Sequence, residues 1–257
     1  MVTVLAQIAR SATGIENVEV VFDHTGQIGS AGSTSASRQT QMAGGACLEA
    51  CRGLREKALE RGGGDRLDDS GVWRGEELMA SLPDLLAAGP LEHHTRFRHA
   101  PTEAPNATGQ GKVHAGFCVA AHRAVVDVDP ELGLVRVVRV DTAQDVGRAL
   151  NPLSVLGQIE GGILQGVGLA TMEELLVERG VVRNASFTDY LIPTILDAPD
   201  VEAVIIEDPE PGGPFGAKGF AELPSISSTA AVVAAIRAAT GRPLNRVPVR
   251  PEHIAGV

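Results

Sequence analysis

Glu222 closes the glycine-rich run GGPFGAKGFAE and stands two residues before Pro224. A carboxylate so placed can hold or move a proton, which is the work of a general base. Proline suits the first turn of a helix, so the positive partial charge of a helix start favours an ionised Glu222. Burial would push its pKa the other way. Glycines at 212, 213, 216 and 219 permit turns closed to other residues. The run is not a P-loop, since no glycine precedes Lys218 and no Ser or Thr follows it. Spacing alone leaves Glu222 with two readings, a base or merely a helix-entry acid.

A second group lies in LSVLGQIEGGILQGVGLATMEELL, where Gln158, Glu160 and Gln165 alternate with glycines 157, 161, 162, 166 and 168. The segment lacks G-x-G-x-x-G and a strand directly ahead, which excludes a dinucleotide site. A mid-helix glycine costs about 1 kcal/mol relative to Ala. Close helix packing could offset that cost, and so could a bulky ligand against the backbone. Cys47 and Cys51 are four apart, which puts both thiols on one face of a helix, but no further ligands follow at a metal-site spacing. They read as two small buried hydrophobes. His93, His94 and His99 fall in a polar stretch without H-E-x-x-H. Asn106 and Asn184 open sequons, which matter only in a secreted chain.

Positioning these residues takes a sizeable core, and 257 residues with 44% apolar and 21% charged side chains supply one. Thirty glycines and fifteen prolines at that apolar fraction imply many tight turns. A net charge of −10 and 3% aromatics exclude a nucleic-acid partner. No run of apolar residues is read as a membrane span, and MVTVLAQIAR does not read as a signal peptide. The expected location is cytoplasmic.

Val4, Leu5, Ile8 and Ala12 predict a helix stopped by Gly14. Nothing ahead of it can cap it, so the structural unit is expected to begin before Met1. VEVVF (18–22) predicts a strand, residues 23–34 a Gly/Ser/Thr loop, and Ser35 to Arg61 one long helix. Residues 62–112 read as a polar linker or surface excursion, with a short helix within GEELMASLPDLLAAG. Segments 116–129 and 134–146 predict a buried hairpin turning at 130–133. Pro152 opens the glycine-studded helix; a small hairpin near 177–183, a strand at 201–208 and a helix from Pro224 to Gly241 follow. The class is α/β or α+β.

Four blocks carry a resemblance: GSTSASRQTQMAGGA, DVGRALNPLSVLGQIEGGILQGVGLATMEEL, FTDYLIPTILDAP and GAKGFAELP. In that order they resemble the xanthine dehydrogenase/aldehyde oxidase family of molybdenum hydroxylases. The resemblance spans nearly the whole chain except residues 62–112. It implies a mixed α/β fold of hairpins and a mixed sheet packed with helices, residues 1–257 being the C-terminal part of the molybdopterin-binding domain. The family's upstream half finds no match here.

By that resemblance Glu222 is the catalytic glutamate, acting as base on a metal-bound hydroxyl whose oxygen attacks an electron-poor carbon. Gln158 would lie against the pterin. Thr34, Ser37 and Gln39 would face its pyran, phosphate or amide edges, and Lys218 and Gly219 share the loop of Glu222. The molybdenum would be held by molybdopterin, as such or as its cytosine dinucleotide, so no metal-ligating side chain is expected. The loop departs from the family at Ala221, where a glycine is usual and a methyl group disfavours positive φ. The implied substrate is a purine or other N-heterocycle, as for a xanthine dehydrogenase; an aldehyde is the alternative, and a non-catalytic structural remnant the rival. Iron–sulfur (2Fe-2S) and FAD subunits or domains, and the remainder of the large subunit, are the implied partners, with no nucleic acid and no membrane.

Overall fold

Helix α1 (Val2–Thr13) ends where the sequence places its stop, with Gly14 at φ 83° donating its N–H to the Arg10 carbonyl. The protein is described by a computed structural model covering residues 1–21, 24, 26 and 34–256. It divides into two compact units, Met1–Phe117 with Asp208–Gly219, and Cys118–Glu207 with Phe220–Val257.

In the first unit α1 packs on α2 (Ala36–Gly62), the long helix expected from Ser35 onward. Ile8 of α1 is buried, and Gly44 of α2 lets it and Pro214 approach the helix backbone. An antiparallel sheet follows: β1 (Arg66–Asp68), β2 (Gly71–Arg74) and β3 (Glu77–Ser81). Helix α3 (Leu82–Ala87) is opened by Ser81 and Asp84, which cap each other's backbone N–H groups. Ala58, Leu67, Val72 and Leu85 form the small core beneath.

Several readings change here. The segment expected to be a short helix opens instead with the turn Gly75-Glu76 and strand Glu77–Ser81, and only its continuation is helical, because Gly75 (φ 62°) turns the chain back to pair with β2. Residues 18–21 form no strand; the remainder of VEVVF and most of the 23–34 loop lie outside the described residues. Residues 91–97 run along α2: Lys57 Nζ donates to the Glu92 carbonyl at 2.7 Å, and Phe97 covers Gly45.

The second unit is built on a sheet ordered β4–β5–β8, with β4 (Ala120–Asp129) antiparallel to β5 (Leu134–Asp145) and β8 (Asp200–Ile206) parallel to it. The hairpin forms as its pattern predicts, yet β4 is an edge strand that alternates half-buried and exposed rather than being covered on both faces. Helix α4 (Pro152–Thr171) starts at Asn151, whose Oδ1 accepts from the Ser154 N–H at 2.9 Å. The expected small hairpin is β6 (Val177–Glu178) with β7 (Val181–Val182). Helix α5 (Leu223–Thr240) has Pro224 in its first turn and Gly241 after its last; α6 (Pro251–Ala255) completes the unit. Ile159, Ile163 and Val167 of α4 meet Val232 and Ile236 of α5 and Val140 of β5 in one core. Each such buried side chain contributes about 1.5–3 kcal/mol. By length and composition α5 could cross a membrane; it packs on α4 and β4, with Val232 and Ile236 buried and Ile226 exposed.

Candidate functional site

The five glycines of α4 divide into two kinds. A Cβ on Gly162 would stand 2.8 Å from Pro224 Cβ, and one on Gly166 would stand 2.9 Å from Ser228 Cβ. One on Gly168 would meet Pro193 Cδ at 2.8 Å. These three are glycines because another element lies against the helix. Gly157 and Gly161 have nothing within 4 Å of such a Cβ, and with Gln158 they lie on an exposed face. Close packing therefore accounts for part of the run, and an open face remains for the rest.

The contacts also fix the direction of the helices. Moving four residues along α4, from Gly162 to Gly166, moves four along α5, from Pro224 to Ser228. The two helices run the same way. Gln158, one turn ahead of Gly162, thus stands at the same end of the pair as Glu222. Glu222 occupies the N-cap position of α5 with φ −92° and ψ −17°, is exposed, and its carbonyl accepts from Ser225 Oγ at 2.9 Å. Ala221 is not among the non-glycine residues with positive φ, so its methyl group brings no backbone strain of that kind. Phe215 in the same loop is the strained residue, at φ 52° and ψ 22°.

Polar contacts pin the first half of α5 from both sides. His122 Nδ1 of β4 is 2.9 Å from Ser227 Oγ, and His122 Nε2 is 3.3 Å from Gln144 Nε2 of β5. Gln144 is fully buried, and its Nε2 also donates to Thr142 Oγ1 at 3.1 Å. On the other side Thr229 Oγ1 donates to the Gly166 carbonyl at 3.0 Å. Burial pushes the His122 pKa down, so the ring is neutral. Sequence reasoning missed this network; its only signal is a single histidine near the start of β4, AAHRAVVDVD.

Two resemblance blocks also meet in this unit. Tyr190 Oη donates to Glu173 Oε2 at 2.9 Å, joining the D-Y-x-I-P segment to the end of α4. That hydrogen bond raises the Tyr190 pKa. Glu174 pairs with Arg246 at 2.7 Å and with Arg250. Asn184 is buried, accepting from the Leu176 N–H at 2.9 Å and donating to the Glu174 carbonyl at 2.6 Å, so this sequon asparagine is an internal brace.

In the first unit the glycine-rich loop reaches the start of α2. A Cβ on Gly219 would overlap the Ser37 carbonyl, whose carbon lies 2.7 Å away. Ser37 and Gln39 sit half-buried in the opening turn of α2, and Thr34 is exposed just ahead of it. Lys218 is 9% exposed and pairs with Asp208 at 3.1 Å. Of the predicted residues, Ser37 and Gly219 are brought together in one unit, and Gln158 and Glu222 to one end of a helix pair in the other. Among the described residues no three His, Cys, Asp or Glu are grouped to hold a metal. The His93 ring instead covers Gly53 of α2.

Cys47 and Cys51 share a face of α2 as their spacing predicts, but both are only half-buried. Their sulfurs are 4.0 Å apart. The hydrogen bond between them raises the pKa of Cys47 and lowers that of Cys51 to about 7.

Residues 1–199 match the family model of the molybdopterin cofactor-binding domain. The chain is 34% identical, over 98% of its length, to the 6-hydroxypseudooxynicotine dehydrogenase complex subunit gamma of Paenarthrobacter nicotinovorans, and covers 34% of that protein. It is 29% identical over 93% of its length to one subunit of a probable xanthine dehydrogenase of Bacillus subtilis, covering 33% of it. Among solved structures, the aldehyde oxidoreductase from Desulfovibrio gigas superposes with a TM-score of 0.82 at 28% identity, over 98% of this chain and 27% of that one. The chain thus spans between a quarter and about a third of these relatives. It belongs to the xanthine dehydrogenase/aldehyde oxidase family of molybdenum hydroxylases, as part of the molybdopterin-binding large subunit.

Proposed function

We propose that the chain forms part of the active site of a molybdenum hydroxylase that inserts water-derived oxygen into a purine or other N-heterocycle, with Glu222 as general base. The observation that carries this reading is the open face of α4 at the end where Glu222 stands: Gln158 is exposed there beside Gly157 and Gly161, neither of which has a neighbour within 4 Å of an added Cβ. A flat pterin can approach the α4 backbone at those glycines, and the Gln158 amide can pair with its polar edge. The start of α2, with Thr34, Ser37 and Gln39, offers N–H groups and short polar side chains of the kind that suit a phosphate. Gly219 lets the glycine-rich loop lie against that start. Each set, within its own unit, suits a part of molybdopterin, as such or as its cytosine dinucleotide.

When bound, the molybdenum group supplies the two-electron oxidant and the activated water. Glu222, exposed at the N-cap of α5, would accept a proton at its carboxylate as a general base. In this reading 2Fe-2S and FAD partners would carry the electrons away, and turnover would require them together with the remainder of the large subunit, in the cytoplasm. The test is Glu222→Gln in the assembled complex. Retained molybdenum with turnover of purines lost by about 10²–10⁴-fold is expected for a general base. Wild-type turnover in the loaded variant would overturn the assignment, and preference for aldehydes over purines would move the substrate to the alternative. Molybdenum absent from the chain alone and from its complex would leave a structural remnant instead.

A further inference from the structure

We propose that Cys47 and Cys51 form a dithiol site for a soft, thiophilic, monovalent metal ion of low coordination number. The pair lies ten residues and more beyond Ser37 on α2, or about 15 Å along the helix, and serves no role in the reading given above. Cys47 Sγ lies 3.6 Å from the Leu5 carbonyl of α1, and both thiols are half-buried and so reachable.

Geometry selects the ligand. Cβ atoms four residues apart on a helix are about 5–6 Å from each other, whereas a disulfide needs about 3.5–4.5 Å. Joining the sulfurs directly would therefore unwind a turn in the middle of a 27-residue helix. The 4.0 Å gap between them is instead one metal ion wide, since a thiolate–metal bond is about 2.3 Å. Bond lengths of that size across this gap give an S–metal–S angle of roughly 120°. No third His, Cys, Asp or Glu among the described residues joins them, which removes the four-ligand sites that zinc requires. A soft ion content with two sulfurs, of the Cu(I) class, remains.

On binding, two S–H bonds break and two S–metal bonds form, both protons pass to solvent, and no electrons move. The product carries one net negative charge. Arg55 lies four residues beyond Cys51 and so on the same face of α2; its Nη2 donates to the Asp65 carbonyl at 3.3 Å.

The test is anaerobic titration of the full chain with Cu(I) against a chromophoric Cu(I) chelator, followed by X-ray absorption at the copper edge. The expected result is one tightly held ion per chain in a sulfur-only shell. It should be lost in both Cys47→Ser and Cys51→Ser and kept in Cys118→Ser. Circular dichroism of each variant checks that α2 persists. Equal retention by Cys47→Ser or Cys51→Ser, or loss in Cys118→Ser, overturns the site. So does a copper shell of nitrogen and oxygen, or a product two hydrogens lighter and metal-free.

Discussion

Gly162 of α4 lies against Pro224 of α5 so closely that an added Cβ would stand 2.8 Å from Pro224 Cβ and 3.4 Å from the Ser225 nitrogen. The head of α5, and Glu222 with it, rests on a helix that leaves no room for a methyl group. Gly162→Ala gains about 1 kcal/mol of helix propensity but forces an overpacked contact costing about 1–3 kcal/mol. Net destabilisation is expected. Gly157→Ala meets nothing and should stabilise by up to about 1 kcal/mol. Denaturant midpoints of the two variants moving in opposite directions would bear this out, and equal shifts would not. In the assembled enzyme Gly157→Ala should nevertheless lower molybdenum retention, because its methyl group projects from the face proposed for the pterin.

His122 predicts an acid weakness. It faces Ser227 of α5 and Gln144 of β5, and burial holds its pKa below the ordinary value. The unfolded chain takes up a proton near pH 6.5, while the folded chain resists it. Stability should therefore fall as the pH drops through about 6.5 toward the lower folded value. His122→Gln keeps a hydrogen-bonding group and cannot titrate, so its urea midpoint should depend less on pH. A pH profile parallel to that of the wild type would remove His122 from the explanation.

Glu174 predicts a further acid dependence at lower pH. The hydrogen bond from Arg246, and after it that from Arg250, holds its carboxyl below the ordinary range. A depressed carboxyl stabilises the fold above the unfolded pKa of about 4.3 and loses that contribution as the pH falls through the folded one. Glu174→Gln should lower Tm at neutral pH, with the gap closing on acidification. A Tm difference that stays constant down to pH values well below that range would show that the substitution acts through packing instead.

How far the sequence discloses this arrangement depends on whether local or distant residues decide it. Helix α5 is legible because Pro224 and Gly241 punctuate it from within. Strand β3 is not, since Leu78, Met79 and Ala80 suit a helix and only pairing with β2 makes them a strand. The glycines of α4 mark something costly without saying what offsets it. Gly157 and Gly162 are the same residue type on the same helix, and only the presence of Pro224 beside the second tells them apart. The candidate site is legible one residue at a time through its motifs, but the parallel run of α4 and α5 that takes Gln158 and Glu222 to one end is not. That direction is set by contacts more than sixty residues apart in the chain.

Gly219 offers the most demanding test of the glycine-rich loop. An added Cβ would overlap the carbonyl of Ser37, and both are backbone features that no rotamer change can separate. Gly219→Ala must therefore lift the loop from the start of α2, at a cost of about 1–3 kcal/mol. The ion pair of Lys218 with Asp208 joins two residues ten apart in the chain and does not relieve that overlap. Amide hydrogen exchange should quicken at residues 36–40, and the assembled enzyme should lose molybdenum if that turn holds the cofactor's phosphate. Faster exchange with full molybdenum content would confine Gly219 to structure and move phosphate binding elsewhere. Unchanged exchange would show that the loop and the helix start are not joined through this glycine.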